Sequence, residues 1–197
     1  MEIKGKRITI KNLQLADVYL MRGWGLHENP LIEDYNFPPM NDNEIKIWYR
    51  RKTIKRSNRY YGIRNEEGQL IGYMGIKGIK KIRRESTLGI VFDPNYVEQG
   101  YGTETLATFL EYYFIKMNMK KMILEVAGFN KRAYRVYEKM GFEQAGYYLD
   151  EFFDSNLDLS NPYYIKEKSS FVIKDEKIYN YIYRMALNRK KFMQLRQ

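Results

Sequence analysis

The chain has 197 residues, 34 Lys and Arg against 24 Asp and Glu, a formal net charge of +10, one His and no Cys. The missing cysteine excludes a disulfide framework, a thiolate nucleophile and a Cys-ligated metal. The single histidine, His27, excludes a multi-His metal site, and no metal is expected. His27 is the one candidate for a His-based triad, and an ordinary helix-end or loop histidine is the favoured reading.

An apolar content of 44% suits a folded α/β domain over about residues 1–186, with a basic tail at 187–197. No apolar run approaches the roughly 20 residues that span a bilayer, so a soluble, cytoplasmic protein is expected. The positive charge favours polyanions: nucleic acid, a ribosomal surface or a phosphorylated cofactor.

In chain order, residues 7–11 (RITIK) alternate as a strand and 13–24 have helical spacing. Residues 25–40 hold Pro30, Pro38 and Pro39 and read as an irregular loop, and 42–55 resume a helix. Residues 59–64, 70–79 and 86–92 read as a three-stranded meander, with a Gly68 turn after the first strand. In 103–117, Leu106, Phe109, Leu110, Tyr113, Phe114 and Met117 form one apolar stripe and predict the clearest helix. A strand at 121–126 and a helix at 130–140, capped by Asn130 and stopped by Gly141, come next. Residues 142–153 and 170–185 read as a closing pair of strands around a polar loop. Arg189, Lys190, Lys191 and Arg196 read as a disordered tail. The order predicts a mixed α/β sheet with helices on both faces.

Gln99-Gly100-Tyr101-Gly102-Thr103 lies between a strand and an amphipathic helix. Amides at a helix N-terminus lack internal partners, and glycines let a phosphate approach them. Two glycines in such a turn are also a purely structural device. The segment lacks the third glycine of a dinucleotide fingerprint and the Gly-Lys-Ser/Thr ending of a P-loop. A second helix N-terminus, at Asn130, adds a side chain able to hydrogen-bond an amide-bearing ligand, with Lys131 and Arg132 in the first turn. The helix dipole disfavours those cations unless an anion binds nearby or water solvates them.

Together, Leu88 through Pro94, Gln99 through Glu104, and Asn130 through Tyr137 to Gly141-Phe142 resemble the GNAT superfamily of N-acetyltransferases. Gly-Tyr-Gly-Thr-Glu most resembles the branch of ribosomal-protein N-terminal acetyltransferases and related small-molecule enzymes. Where the family often has Arg or Gln three residues before the first glycine, this chain has Val97. The resemblance implies a GNAT fold with two splayed parallel strands and acetyl-coenzyme A as cofactor. The pyrophosphate would lie on Gln99, Gly100, Tyr101, Gly102 and Thr103. The pantetheine arm would pair with Ile90, Val91 and Phe92, Asn130 would hold it from the other side, and Arg132 is a further cofactor-binding candidate.

Direct acetyl transfer needs a neutral amine, oxyanion stabilisation and a proton for the departing thiolate. Tyr137 matches the family's proton donor and is also placed to be a core aromatic. Glu125, on the preceding strand, resembles the family's base and is equally a solvent-facing carboxylate; Glu85 or a water are the alternatives. Trp24, Tyr35, Phe37 and Trp48 are candidate walls for the acceptor. Asp150, Glu151, Asp154 and Asp158 form an acidic patch that would attract a cationic amine such as a peptide N-terminus, a polyamine or an aminoglycoside. A homodimer is one assembly the chain could adopt. Two rivals stand beside this reading. One is a GNAT-fold acetyl-coenzyme A binder without catalysis. The other is a basic nucleic-acid-binding module, against which the scattered Lys and Arg and the absence of an RNP-like motif argue.

Overall fold

The computed structural model describes residues 1–196. Alternating apolar residues build β1 (Glu2–Lys4), β2 (Thr9–Asn12), β3 (Arg59–Arg64), β4 (Leu70–Lys80) and β5 (Glu85–Phe92), joined antiparallel in that order. Between β2 and β3 come α1 (Leu15–Leu20) and α2 (Asp42–Thr53). Asn41 starts α2 in a capping box, accepting from the amides of Asn43 and Glu44 while Glu44 accepts from the Asn41 amide.

After β5 the chain forms α3 (Tyr101–Glu111), β6 (Lys121–Ala127), α4 (Lys131–Lys139) and β7 (Glu143–Glu151). α5 (Pro162–Glu167), β8 (Phe171–Lys174), β9 (Lys177–Asn188) and α6 (Arg189–Gln194) complete it. The sheet runs β1-β2-β3-β4-β5-β6-β9-β7, with β8 also paired to β9. Among the described residues β5 and β6 are the one parallel pair, which gives the expected mixed sheet.

Strand alternation sends neighbouring side chains to opposite faces. Tyr61, Met74, Ile76, Leu88, Leu124 and Val126 pack with Phe109 and Leu110 of α3 and with Tyr137 of α4. Tyr60, Tyr73 and Leu70 pack the other way, against Val18, Met21 and Ile45 of α1 and α2. A third cluster joins Leu31 to Phe152, Leu157, Tyr164, Phe171 and Ile178 beneath the segment linking β7 to β8. Among the described residues no helix is long and apolar enough to cross a membrane.

Several elements differ from the sequence expectation for identifiable reasons. β1 lies in a charge-rich stretch with little alternation and owes its form to pairing with β2. The 25–40 loop contains a 3-10 turn, Pro30–Tyr35, capped by Asn29 and anchored by buried Leu31. The predicted helix at 103–117 begins at Tyr101 and ends in a widened π turn, Tyr112–Lys116, which keeps Tyr113 and Phe114 buried. The expected strand at 170–185 is a hairpin, β8 and β9, turning on Asp175 and Glu176 at φ +51° and +60°. Such a two-residue turn usually carries a Gly, and this one has Asp175 but no Gly.

Within the described residues the basic tail, expected to be disordered, forms α6 over Arg189–Gln194; its last residue, Gln197, lies outside them. Asn188 caps α6 by accepting from the Lys191 amide, Lys191 lies 2.8 Å from Glu143, and Arg196 lies 3.1 Å from Glu111. Phe192 is buried, with its ring centroid 4.9 Å from that of Phe114. Phe192→Ala should therefore lower stability by about 3 kcal/mol or more, the usual cost of truncating a buried Phe. A urea midpoint unchanged from wild type would show that α6 contributes nothing to the core.

Candidate active site

The site is built where β5 and β6 part. The two strands pair from Glu85↔Lys121 to Leu88↔Leu124 and no further. Beyond that point β6 stays on β9 through Ala127, while β5 stays on β4 through Phe92. The β6-facing edge of β5 from Gly89 to Phe92 is left without a strand and borders a cavity of about 640 Å³. The cavity passes through the sheet. Thr103, Leu106, Ala133 and Tyr137 line it from the α3 and α4 face, and Lys52, Tyr60, Tyr73 and Lys77 from the α1 and α2 face.

At one end lies the glycine turn. Asp93 ends β5, accepting from the amides of Gly25 and Asn95, and a 3-10 turn, Pro94–Tyr96, follows. Glu98 (φ +64°) and Gly100 (φ +85°) are both left-handed, a backbone form that turns successive N–H groups inward. The first bond of α3 is Glu104 N–H to Gly100 O at 3.1 Å, so the amides of Tyr101, Gly102 and Thr103 precede the helical ladder. Arg7 braces the turn from outside, 3.1 Å from Glu104 and donating to Gln99 O at 3.2 Å.

Gly100, Gly102 and Thr103 line the cavity. The side chains of Gln99 and Tyr101 turn away, to Asn95 O and Glu66, so only their backbone can serve a ligand. Val97 lines the cavity as a plain apolar wall.

On the opposite wall Asn130 caps α4, its Oδ1 accepting from the Ala133 amide at 3.2 Å. The two cations after it are already paired within the chain. Lys131 lies 2.6 Å from Glu167, and Arg132 lies 3.3 Å from Glu98. His27 also borders this end, and burial, then the Arg132 charge, hold its imidazole below the usual value and hence neutral at pH 7.

Tyr137 lies at the junction of the two halves. It is buried, edge-on to Phe142 at 5.9 Å, and borders the cavity. Burial, then Tyr35, push its phenol well above the ordinary value, so it stays protonated across the working pH range. Tyr35 borders the same space, its phenol also raised by burial, with Asn130 within reach of its hydroxyl.

The remaining expected residues divide clearly. Glu125 borders the cavity and lies 3.2 Å from Arg184. Glu85 does not; it sits at the far end of β5, 2.9 Å from Lys80. Ile90, Val91 and Phe92 line the cavity as expected. Trp24 and Trp48 form an aromatic cluster with Phe37 and Tyr73 behind the wall, leaving Tyr73 at the surface of the main cavity. Trp48 reaches an adjoining recess instead.

The acidic patch is not brought to the cavity. Asp150 and Glu151 lie on the exposed strand β7, and Glu151 is 2.9 Å from Lys177. Asp154 and Asp158 cap local turns by accepting from the Asn156 and Ser160 amides. Sequence reasoning missed Lys52, Tyr60, Tyr73 and Lys77. The alternation of Tyr60, Tyr73 and Lys77 in β3 and β4 and the place of Lys52 on the α2 helix were visible, but which face opens on the cavity was not.

Comparison with known proteins agrees with this geometry. Residues 7–143 match the Acetyltransferase (GNAT) domain, and the chain belongs to this family of acetyltransferases. It is 24% identical over 147 residues to a spermidine N(1)-acetyltransferase of Vibrio cholerae, covering 75% of this chain and 85% of that protein. It is 27% identical over 152 residues to an uncharacterized N-acetyltransferase, YnaD, of Bacillus subtilis, covering 75% and 86%. Its fold is similar to a Vibrio cholerae spermidine N-acetyltransferase chimera, with a TM-score of 0.72 at 21% identity over 95% of this chain and 99% of that one. These relatives are not named for the ribosomal-protein branch.

The turn generates a direct test of phosphate binding. At Gly102 a Cβ would meet nothing closer than Phe92 Cε2 at 3.5 Å, so Gly102→Val should fold and yet obstruct an incoming phosphate. Glu98→Gln should do the reverse, freeing Arg132 for the anion and tightening coenzyme A binding several-fold by calorimetry. Equal affinities for both variants and wild type would remove the phosphate from this turn.

Proposed function

We propose that this acetyltransferase moves an acetyl group from acetyl-coenzyme A directly to a primary amine, both held in a ternary complex. The observation that carries the reading is the opening between β5 and β6, with an anion-suited turn on one side of the sheet and an aromatic recess on the other. The donor residues fit an elongated phosphorylated thioester. Amides of Tyr101 to Thr103 and Arg132 face its phosphates, and the unpaired β5 edge and Asn130 face its amide-bearing arm. When bound, acetyl-coenzyme A supplies the activated acyl group.

The chain's own part is to hold and to move protons. Fixing both reactants across one gap converts an encounter into a local event, worth effective molarities of up to roughly 10⁵–10⁸ M. Tyr137, kept protonated by burial, offers its hydroxyl to the departing sulfur. Glu125, on the acceptor side, takes the amine proton directly or through water. Its ion pair with Arg184 fixes the carboxylate's place. The spermidine relatives make small amines the first acceptors to test. The Gly100–Glu104 resemblance keeps a protein N-terminus beside them.

Tyr137→Phe keeps the ring in the core and removes the proton. Turnover should fall roughly 10²–10⁴-fold with acetyl-coenzyme A affinity retained. Because the phenol is raised, the wild-type kcat profile should show no alkaline fall from Tyr137 below about pH 10, the ordinary phenol value. Glu125→Gln should lose rate at neutral pH and recover it in part at high pH, where more of the amine is neutral. Wild-type turnover in Tyr137→Phe, measured by coenzyme A release, would end the tyrosine assignment.

A further inference from the structure

The acceptor half of the cavity has a charge its relatives' names do not suggest. Its floor is a pair of glycines, Gly75 of β4 directly opposite Gly89 of β5. A Cβ at Gly75 would lie 2.4 Å from the Tyr60 ring, so that ring occupies the space a side chain would fill. The Lys77 side chain stretches over Gly89, its Nζ 3.8 Å from where a Cβ would stand. From α2, Lys52 reaches the same space, its Nζ 4.9 Å from the Trp48 ring centroid and 5.5 Å from that of Tyr60. Arg51 borders the adjoining recess, which shares Lys52 and Tyr60 with the main cavity.

Among the described residues, Arg51, Lys52 and Lys77 have no carboxylate within ion-pair distance. The carboxylates nearby are already committed. Glu98 is paired with Arg132, Glu125 with Arg184, and Glu44 closes the cap of α2 at 2.7 Å. Asp34, on the turn before the cavity, is exposed and outside its lining. Burial, then the charge of Lys77, lowers the pKa of Lys52, as expected of two ammonium groups facing one space with nothing between them. The cofactor's phosphates would lie at the glycine turn, on the opposite side of the sheet, and do not meet these cations.

Resting on the acetyltransferase reading above, we infer that the acceptor is a primary amine whose framework carries a negative group, carboxylate or phosphate, held by Lys52 and Lys77. A polyamine would place its further ammonium groups against them. The aromatic walls of Tyr60 and Tyr73 suit a short apolar spacer between amine and anion. The transfer balances as for any amine: nitrogen bonds to the acyl carbon, the carbon–sulfur bond breaks, and the amine proton is lost as the sulfur gains one.

The test is coenzyme A release with amines of graded charge. O-phosphoethanolamine and 4-aminobutyrate represent the two anions, butylamine is neutral, and spermidine is polycationic. An anionic amine should have the highest kcat/KM, and its KM should rise with ionic strength on the unaltered enzyme. The two anionic arms separate phosphate from carboxylate. In Lys52→Met with Lys77→Met, the ratio of anionic to neutral kcat/KM should fall roughly tenfold or more, as expected for loss of a charge-assisted hydrogen bond. Spermidine should gain in the same variant. Preference for spermidine in wild type, or a ratio unmoved by the double substitution, overturns the inference and leaves the acetyltransferase reading intact. So does an effect confined to the KM for acetyl-coenzyme A. If no amine of any charge releases coenzyme A, the direct-transfer reading falls and this inference with it.

Discussion

Everything at this site depends on β5 and β6 ceasing to pair after Leu88 and Leu124. A buried strand edge without a neighbour leaves backbone donors and acceptors unmet, and folded proteins rarely tolerate that. Here the two strands are held apart by their other partners. β5 remains on β4 to Phe92, and β6 remains on β9 to Ala127. The gap is therefore held open by the sheet itself, and its open edge is available to an extended, amide-bearing molecule in the manner of an added strand. The two helices that follow these strands, α3 and α4, start at the mouth of the gap, so their N-termini converge on it.

Charge is arranged around that gap by pairing as much as by number. The net charge of +10 says little about function, because many of its cations are spent locally. Arg7 braces Glu104, Arg132 meets Glu98, Arg184 meets Glu125, and Lys191 meets Glu143. At exposed sites such pairs add little stability, about 0–1 kcal/mol. Their consequence is to cancel charge at chosen places. Glu98 pairs with Arg132, while among the described residues Lys52 and Lys77 have no carboxylate partner. Two cations facing one cavity are tolerable because Trp48 and Tyr60 offer ring faces to Lys52.

The sequence by itself determined the helix and strand content of the central half and the position of the anion-suited turn. The apolar stripe of α3 and the alternation of β3 to β5 are local properties, set by side-chain periodicity and read without neighbours. Gly100 suits its left-handed backbone and Asn130 suits a helix cap, so both motifs were visible as residue types. Less local features were not visible. The β8–β9 hairpin turns on Asp175 and Glu176 without the glycine that usually marks such a turn, and α6 is helical because Phe192 finds Phe114 about eighty positions upstream.

Only the tertiary structure decided which side chains share the cavity. Glu85 and Glu125 each lay on a strand read from the sequence, and only the point at which β5 and β6 part separates them. Asp150 and Glu151 looked like an acceptor trap and lie on an exposed strand instead, while Lys52 and Lys77, which were not among the expected site residues, line the cavity. The reason is physical. Strand alternation sets which residues share a face, but which face opens to a ligand follows from what packs over it. That depends on strands and helices brought together from distant parts of the chain.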